Sequence, residues 1–246
     1  MIVVDAHEDI AMNILLYGRD YSRSVADTRQ REAGTAIPQR GGVAMLGWPE
    51  WLTGRVAVVF ATLYVSPARY REGPWDTQCY ANKAQAHRLY WQQVHTYQQL
   101  AAAHPDKFYL IRSRADLEQG LAPWQNGNST GRRVGLVLLM EGADGILQPS
   151  ELPDWHAAGL RIIGPAWDAT RYAGGTQHPG PLTNAGRELL RQMARLGMTL
   201  DLSHMTDAGV DEALDTYSGP IIASHSNARA LLPNAPQPQR HLRAET

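Results

Sequence analysis

Six short runs of apolar residues recur along the chain, each with the length of a buried β-strand. They cover residues 2–4, 56–65, 134–140, 160–166, 198–202 and 220–223. The run at 134–140 is almost continuously apolar, which is typical of a parallel strand that is covered on both faces. Helical patterns separate several of the runs. This alternation predicts an α/β fold with a parallel sheet and right-handed crossovers.

Helix signals lie between these strands. Thr183 is the predicted N-cap of one helix, and Thr206 is that of another over residues 207–217. Apolar residues at near-helical spacing predict a long helix over 76–103. The polar segment 120–133 contains Gly, Asn and Ser, and we expect it to be a surface loop.

Four of the six runs end in residues that commonly bind metal ions, within the segments VVDAHED, LVLLMEG, TLDLSH and IIASHS. The residues are His7, Asp9, Glu141, His204 and His225. Parallel strands bring their carboxyl ends to one face of a barrel or open sheet. The pattern therefore predicts that these five side chains meet at one site.

Each candidate has an ordinary explanation when it is taken alone. His7-x-Asp9 is a triplet that occurs by chance, although period-two geometry places both residues, with Asp5, on one face of the first strand. Glu141 ends a buried strand, where a carboxylate needs either a cation or a paired arginine. A lone histidine after a strand is more often a hydrogen-bonded residue than a ligand. The joint pattern favours a metal site.

Three imidazoles and two carboxylates exceed what one closed tetrahedral zinc ion needs, and they suit two ions about 3.5–4 Å apart. On this hypothesis His7 and Asp9 hold one ion, His204 and His225 hold the other, and Glu141 bridges them. A solvent molecule shared by two such cations has a pKa lowered towards neutrality, which supplies a hydroxide nucleophile.

Other polar residues near the strand ends could take part in the same chemistry. Asp5 and Asp201 would lie deeper, where each either orients a ligand imidazole or is a buried carboxylate held by backbone N–H groups. Neither Ser203 nor Ser224 lies in a Gly-x-Ser-x-Gly elbow, so the sequence gives no support for a nucleophilic serine. The sequence also lacks a glycine-rich phosphate-binding motif.

Composition restricts the class of protein. The 246 residues, 43% of them hydrophobic, suffice for one large α/β domain, which we favour over two small ones. The near balance of 23 Lys and Arg against 24 Asp and Glu argues against nucleic acid or an anionic membrane as a partner. A single cysteine, Cys79, and an N-terminus without signal-peptide character predict a cytoplasmic protein.

The motifs together resemble the membrane (renal-type) dipeptidases, the M19 metallopeptidases. The likeness is carried by DAHED, GRVAVVFATLYV, the MEG at Glu141, LGMTLDLSHMTD and PIIASHSNARAL. It implies a TIM-type (β/α)8 barrel with two zinc ions, and it assigns the five ligands as above. It also implies that Arg240, in QRHL, holds the terminal carboxylate of the substrate, which suits the bidentate guanidinium group.

Two features depart from the family pattern. Trp167 stands where some members have a substrate-facing histidine, and we expect it to line the substrate pocket instead. The sequence ends at Thr246, whereas the family continues through two further βα units, the last of which brings an aspartate for proton transfer. We therefore expect a single, C-terminally truncated barrel domain of about six βα units. Its open strand edges predict association, as a homo-oligomer or with a completing chain.

The function that this resemblance implies is zinc-dependent hydrolysis of dipeptides. Two alternatives stay open on the sequence. One is a catalytically silent metal-binding fragment, and the other is an amidohydrolase that acts on another small amide or a lactam.

Overall fold

The computed structural model describes residues 1–125, 130–237, 241–243 and 246. It divides into two compact units. The first comprises Met1–Cys79 and Gln92–Leu138, and the second comprises Tyr80–Trp91 and Leu139–Thr246. The prediction of a single barrel domain stays a prediction.

The described residues form strands at all six predicted positions, together with three shorter strands. The strands are β1 (Val3–Glu8), β2 (Val56–Tyr64), β3 (Ser66–Pro67), β4 (Cys79–Tyr80), β5 (Phe108–Leu110), β6 (Val134–Glu141), β7 (Leu160–Gly164), β8 (Thr199–Asp201) and β9 (Ile221–Ile222). The α/β class is confirmed. The three strands that the sequence did not predict are β3, β4 and β5, which have two or three residues each.

In the first unit the strand order is β1-β2-β6, and β5 pairs with β6. Strands β1 and β2 are parallel, with Val3 opposite Val56 and Glu8 opposite Ala61. The register shifts between Asp5 and Glu8, which marks a β-bulge or irregularity at the end of β1. Most residues of β2 are buried, as its β-branched sequence predicts.

In the second unit the order is β6-β7-β8-β9. Strands β7 and β8 are parallel, with Ile163 opposite Leu200, and β8 and β9 are parallel, with Asp201 opposite Ile222. The carboxyl ends of β7, β8 and β9 therefore emerge at the same edge of this unit. The end of β6 lies beside that of β7, because the Gly142 N–H donates to the Gly164 carbonyl oxygen at 3.0 Å. The ends of β6, β8 and β9 each lead into a residue that was predicted to be a ligand.

The helices are α1 (Ile10–Tyr17), α2 (Val25–Glu32), α3 (Ile37–Gly41), α4 (Trp48–Thr53), α5 (Lys83–Ala103), α6 (Arg114–Gln125), α7 (Leu152–Ala158), α8 (Asn184–Arg195) and α9 (Asp207–Thr216). The Thr183 side chain caps α8 by accepting a hydrogen bond from the Gly186 N–H, as predicted. Thr206 precedes α9 as predicted, but its hydroxyl donates to the Gly180 carbonyl oxygen instead of capping the helix.

Two predicted boundaries are wrong. The helix expected from residue 76 begins at Lys83, because Cys79 and Tyr80 form β4 and pair with β3. Part of the loop expected over 120–133 is helical, since α6 continues to Gln125 despite Pro123. Pro123 gives the last turn of α6 a low helix propensity. Burial of Trp124, whose indole N–H donates to the Arg133 carbonyl oxygen, stabilises this last turn.

Candidate metal centre

Glu141 is the last residue of β6, and its backbone is fixed on both sides. The Tyr90 hydroxyl, from α5, donates to the Glu141 carbonyl oxygen at 2.7 Å. Gly142 follows with a φ of 74°, a left-handed conformation that favours glycine and turns the chain sharply after the strand. The Glu141 residue is 5% exposed, so its carboxylate lies in a position that requires polar or cationic partners.

His204 follows β8 in an unusual backbone conformation. Its φ is 67°, and non-glycine residues in this region are uncommon and concentrate at functional sites. The ring Nδ1 lies 2.8 Å from the Thr176 hydroxyl, which comes from the segment between β7 and α8. The Nε2 atom of the same ring faces Glu141 Oε1 at 2.8 Å.

His225 follows β9, and a relay of hydrogen bonds fixes its ring. The Ser224 hydroxyl donates to Asp201 Oδ2 at 2.5 Å. The hydroxyl has one hydrogen, so its oxygen accepts from His225 Nδ1 at 2.7 Å. His225 therefore carries its hydrogen on Nδ1, and the lone pair of Nε2 points towards Glu141 Oε1, 3.1 Å away.

Asp201 is the buried origin of this relay, with 1% exposure. Its Oδ1 accepts the backbone N–H groups of Ser203 and Ser224, both at 3.0 Å. The sequence left two roles open for Asp201, a carboxylate held by backbone N–H groups or one that orients a ligand imidazole. Both are realised, and the second acts through the Ser224 hydroxyl.

The second unit thus brings three predicted ligands together. His204 Nε2 and His225 Nε2 lie 3.0 Å apart, and both lie within 3.1 Å of Glu141 Oε1. Two ligand atoms bound to one tetrahedral zinc ion at about 2.0–2.1 Å are roughly 3.3 Å apart. In both histidines the other ring nitrogen, Nδ1, contacts a hydroxyl group. This set of donor atoms fits a zinc ion.

The other two predicted ligands belong to the first unit. His7 lies in β1, and its Nε2 is 3.8 Å from Asp9 Oδ1. Asp9 was expected on the strand, but β1 ends at Glu8 and Asp9 occupies the N-cap position of α1. The pair is nevertheless close enough for both side chains to reach one ion. That all five ligands share one binuclear site stays a prediction.

The sequence did not single out Glu8. Burial, together with the nearby Asp5 and Asp9 carboxylates, raises the pKa of Glu8 to about 9. Both effects disfavour the charged form of this carboxyl group. Its position between two predicted ligands in DAHED was a signal that sequence reasoning did not use.

The two predicted substrate-binding residues have different outcomes. Trp167 lies beside one predicted ligand, with its ring centroid 6.2 Å from that of His204. Its backbone carbonyl oxygen also accepts the N–H of Thr176, the residue that contacts the His204 ring. Arg240 lies outside the described residues.

The sequence model of the membrane dipeptidase family (peptidase family M19) matches residues 1–237. Among curated relatives, an uncharacterised protein of the pqqA 5′ region of Klebsiella pneumoniae is 32% identical over 155 residues, which cover 59% of this chain and 54% of that protein. Dipeptidase tcpJ of Claviceps purpurea is 27% identical over 190 residues, covering 74% of this chain and 41% of that protein. The chain spans about half or less of the length of these curated relatives.

Two solved structures share the fold. One is a metallo peptidase from Rhodobacter sphaeroides, liganded with a phosphinate mimic of the dipeptide L-Ala-D-Ala. It is similar to this chain with a TM-score of 0.73 and 24% sequence identity, and the match covers 99% of this chain and 69% of the peptidase chain. The other is dipeptidase AC of family M19, which has the same TM-score and identity. The match covers 99% of this chain and 67% of the dipeptidase chain. The predicted TIM-type α/β fold is confirmed by this likeness.

Among the described residues, the helices are all too short or too polar to cross a bilayer.

The family model matches most of the chain, and the strand-end residues agree with the match. This chain belongs to the membrane dipeptidase family, peptidase family M19.

Proposed function

We propose that this chain is a zinc-dependent dipeptidase. One observation carries the proposal: in a member of this family, the Glu141 carboxylate faces two histidine Nε2 atoms at 2.8 and 3.1 Å. Two acceptor atoms, Glu141 Oε1 and His225 Nε2, approach each other closely, and this arrangement is stabilised by a cation or a shared proton. Imidazole and carboxylate ligands suit zinc.

The proposed ligand assignment keeps two ions. His204 and His225 hold one, His7 and Asp9 hold the other, and Glu141 is the bridging catalytic carboxylate. When bound, such a zinc pair supplies a hydroxide nucleophile from solvent and stabilises negative charge on the carbonyl oxygen of the scissile bond. The support for the second ion is the His7 and Asp9 pair together with the family membership.

The chain's own residues would bind and orient the substrate. Trp167, next to the His204 ring, would form an apolar wall that limits water near the reacting carbonyl. Arg240 would pair with the terminal carboxylate of the dipeptide, because a guanidinium group binds a carboxylate through two hydrogen bonds. The names of two relatives, a dipeptidase and a peptidase liganded with a dipeptide mimic, support dipeptides as the substrate class.

The test compares the zinc-loaded chain with two variants, Glu141→Ala and Glu118→Gln. Glu118 is an exposed carboxylate of α6 that pairs with Arg114, so it serves as the control. The unsubstituted chain and the control should hydrolyse L-Ala-L-Ala or L-Ala-D-Ala, with zinc content measured by mass spectrometry. Glu141→Ala should lose both hydrolysis and bound zinc. Hydrolysis with less than one zinc ion per chain would refute the proposal.

The alternatives predict different results in the same assay. A catalytically silent metal-binding chain would retain zinc but would not turn over any dipeptide. An amidohydrolase of another specificity would cleave acylamino acids or lactams faster than dipeptides. Either result would overturn the dipeptidase proposal while leaving the metal ligands in place.

A further inference from the structure

The segment between β7 and α8 folds into a hairpin whose tip carries a histidine. Ala173 and Leu182 form an antiparallel bridge, and the Gly175 N–H donates to the His178 carbonyl oxygen at 3.0 Å. Gly175 packs so closely on the backbone of Asp168 that a Cβ atom there would lie 2.3 Å from the Asp168 carbonyl oxygen. The hairpin is therefore pressed against Asp168.

Asp168 anchors the His178 ring. The Asp168 residue is 2% exposed, and both of its carboxylate oxygens lie 2.9 Å from His178 Nδ1. The backbone N–H groups of Gln177 and His178 also donate to Oδ1 of this carboxylate. The His178 side chain is nonetheless 60% exposed. A buried carboxylate thus holds one ring nitrogen while the opposite edge of the ring faces solvent.

Two hydrogen bonds connect the residues on either side of His178 to the segment that contains His204, a proposed ligand. The Thr176 hydroxyl contacts His204 Nδ1 at 2.8 Å, and the Gly180 carbonyl oxygen accepts from the Thr206 hydroxyl at 2.6 Å. His178 is two residues from each of these hydrogen-bonded residues, so its Cα lies within roughly 7 Å of the Cα atoms of Thr176 and Gly180. An extended dipeptide has about the same length. His178 therefore lies on the hairpin that contacts the His204 ring, through the ring nitrogen that faces away from Glu141, and within about the length of a dipeptide from that contact.

The bond to Asp168 also fixes the chemistry of the exposed nitrogen. Because a carboxylate accepts at Nδ1, the neutral ring carries its hydrogen there, and Nε2 presents a lone pair. Nε2 is then an acceptor for a substrate N–H group. The ammonium group of a dipeptide offers three N–H donors and a positive charge, so it is the stronger of the substrate's donors.

We infer that His178 Nε2 binds the free amino group of the dipeptide substrate. The inference rests on the proposed function, because it takes the substrate to be a dipeptide. His178 then contributes to substrate binding and to the selection of peptides with a free N-terminus, whereas the bond-breaking step is left to the metal centre. Asp168 acts through His178 as a positioning residue.

The kinetic test uses three variants of the zinc-loaded chain, His178→Ala, His178→Gln and the control His95→Gln. His95 is an exposed histidine on α5. Loss of a hydrogen bond to a charged group should raise the KM of His178→Ala for L-Ala-L-Ala roughly 10- to 100-fold, with kcat nearly unchanged. Glutamine places an amide acceptor near the position of Nε2, so His178→Gln should recover most of the loss. The control should match the unsubstituted chain.

A binding test separates contact with the amino group from a structural role. Calorimetry would compare two phosphinate analogues of Ala-Ala, one with the amino group and one without it. His178→Ala should weaken only the analogue that bears the amino group. Equal weakening of both analogues, or a KM equal to that of the control, would overturn the inference. The failure of the unsubstituted, zinc-loaded chain to hydrolyse any dipeptide would instead overturn the proposed function.

Discussion

The Asp201–Ser224–His225 relay predicts that a single change from oxygen to nitrogen weakens zinc binding. In Asp201→Asn, the amide oxygen takes the place of Oδ1, because that atom accepts the two backbone N–H groups of Ser203 and Ser224. The amide NH2 group then takes the place of Oδ2 and donates to the Ser224 hydroxyl oxygen. His225 Nδ1, at 2.7 Å, is a closer acceptor for the hydroxyl hydrogen than Ser203 Oγ, at 3.3 Å. We therefore expect the hydroxyl hydrogen to turn to Nδ1, which moves the ring hydrogen to Nε2 and blocks the lone pair that would bind the metal.

The magnitude follows from the bond that is lost. For zinc to bind, His225 must return its hydrogen to Nδ1, where it now opposes the Ser224 hydroxyl hydrogen. This leaves a buried hydrogen bond unmade, at about 1–3 kcal/mol. Zinc affinity should therefore fall roughly 10- to 100-fold, the range expected for the loss of a partner that orients a metal ligand.

The assay is competition for zinc against a chromophoric chelator, with the ring tautomer of His225 read from its ¹⁵N chemical shifts in the metal-free chain. Asp144→Asn is a matched control, since the Asp144 carboxylate also accepts a hydroxyl group, that of Tyr80, and a backbone N–H, that of Arg171. The control should keep its zinc affinity. If Asp201→Asn binds zinc within about twofold of the unsubstituted chain, or retains the Nδ1–H tautomer, the reasoning is refuted.

Two further predictions concern the same unit. Thr176→Val removes the hydroxyl group beside His204 Nδ1 and should weaken zinc binding roughly 10-fold or more, whereas Thr216→Val, which removes an exposed hydroxyl of α9, should not. Equal affinities in the chelator assay would contradict this. The hydrogen bond from Arg229 lowers the pKa of Asp207, so this pair stabilises the fold above the ordinary pKa of Asp and is lost as the pH falls through the lowered value. Asp207→Asn should lower the free energy of unfolding in urea by about 1 kcal/mol or less at neutral pH, because the Asp207 side chain is 35% exposed. This difference in stability between the variant and the unsubstituted chain should disappear in acid. A difference that persists or widens in acid would be inconsistent with this ion pair.

The sequence predicted the long strands well because their apolar runs are continuous and end abruptly in polar residues. In β6, for example, seven of the eight residues are buried, and Glu141 ends the apolar stretch directly. The boundary errors arose where tertiary contacts outweighed local preference. Pro123 is a poor helix residue, yet burial of the neighbouring Trp124 extends α6 past the expected start of the loop.

Candidate ligands could be nominated from the sequence, but the orientation of their side chains could not. A strand-end position is a local property, so His204 and His225 could be nominated from the sequence. Thr176 is 28 residues from His204, and no sequence pattern relates the two. The left-handed backbone of His204 is equally hidden, because histidine has no strong preference for that conformation.

Strand β9 shows why the orienting residues also matter to the fold. It contains only Ile221 and Ile222, which is too short to hold a register firmly by ladder bonds alone. Asp201, at the end of β8, accepts both a backbone and a hydroxyl hydrogen from Ser224, and so fixes the chain immediately after β9. The position of His225 and the pairing of the two strands therefore depend on one buried carboxylate. Asp201→Ala, which removes every acceptor of this carboxylate, should therefore loosen the strand end as well as the His225 ring, whereas loss of the Thr176 hydroxyl should affect the His204 ring alone.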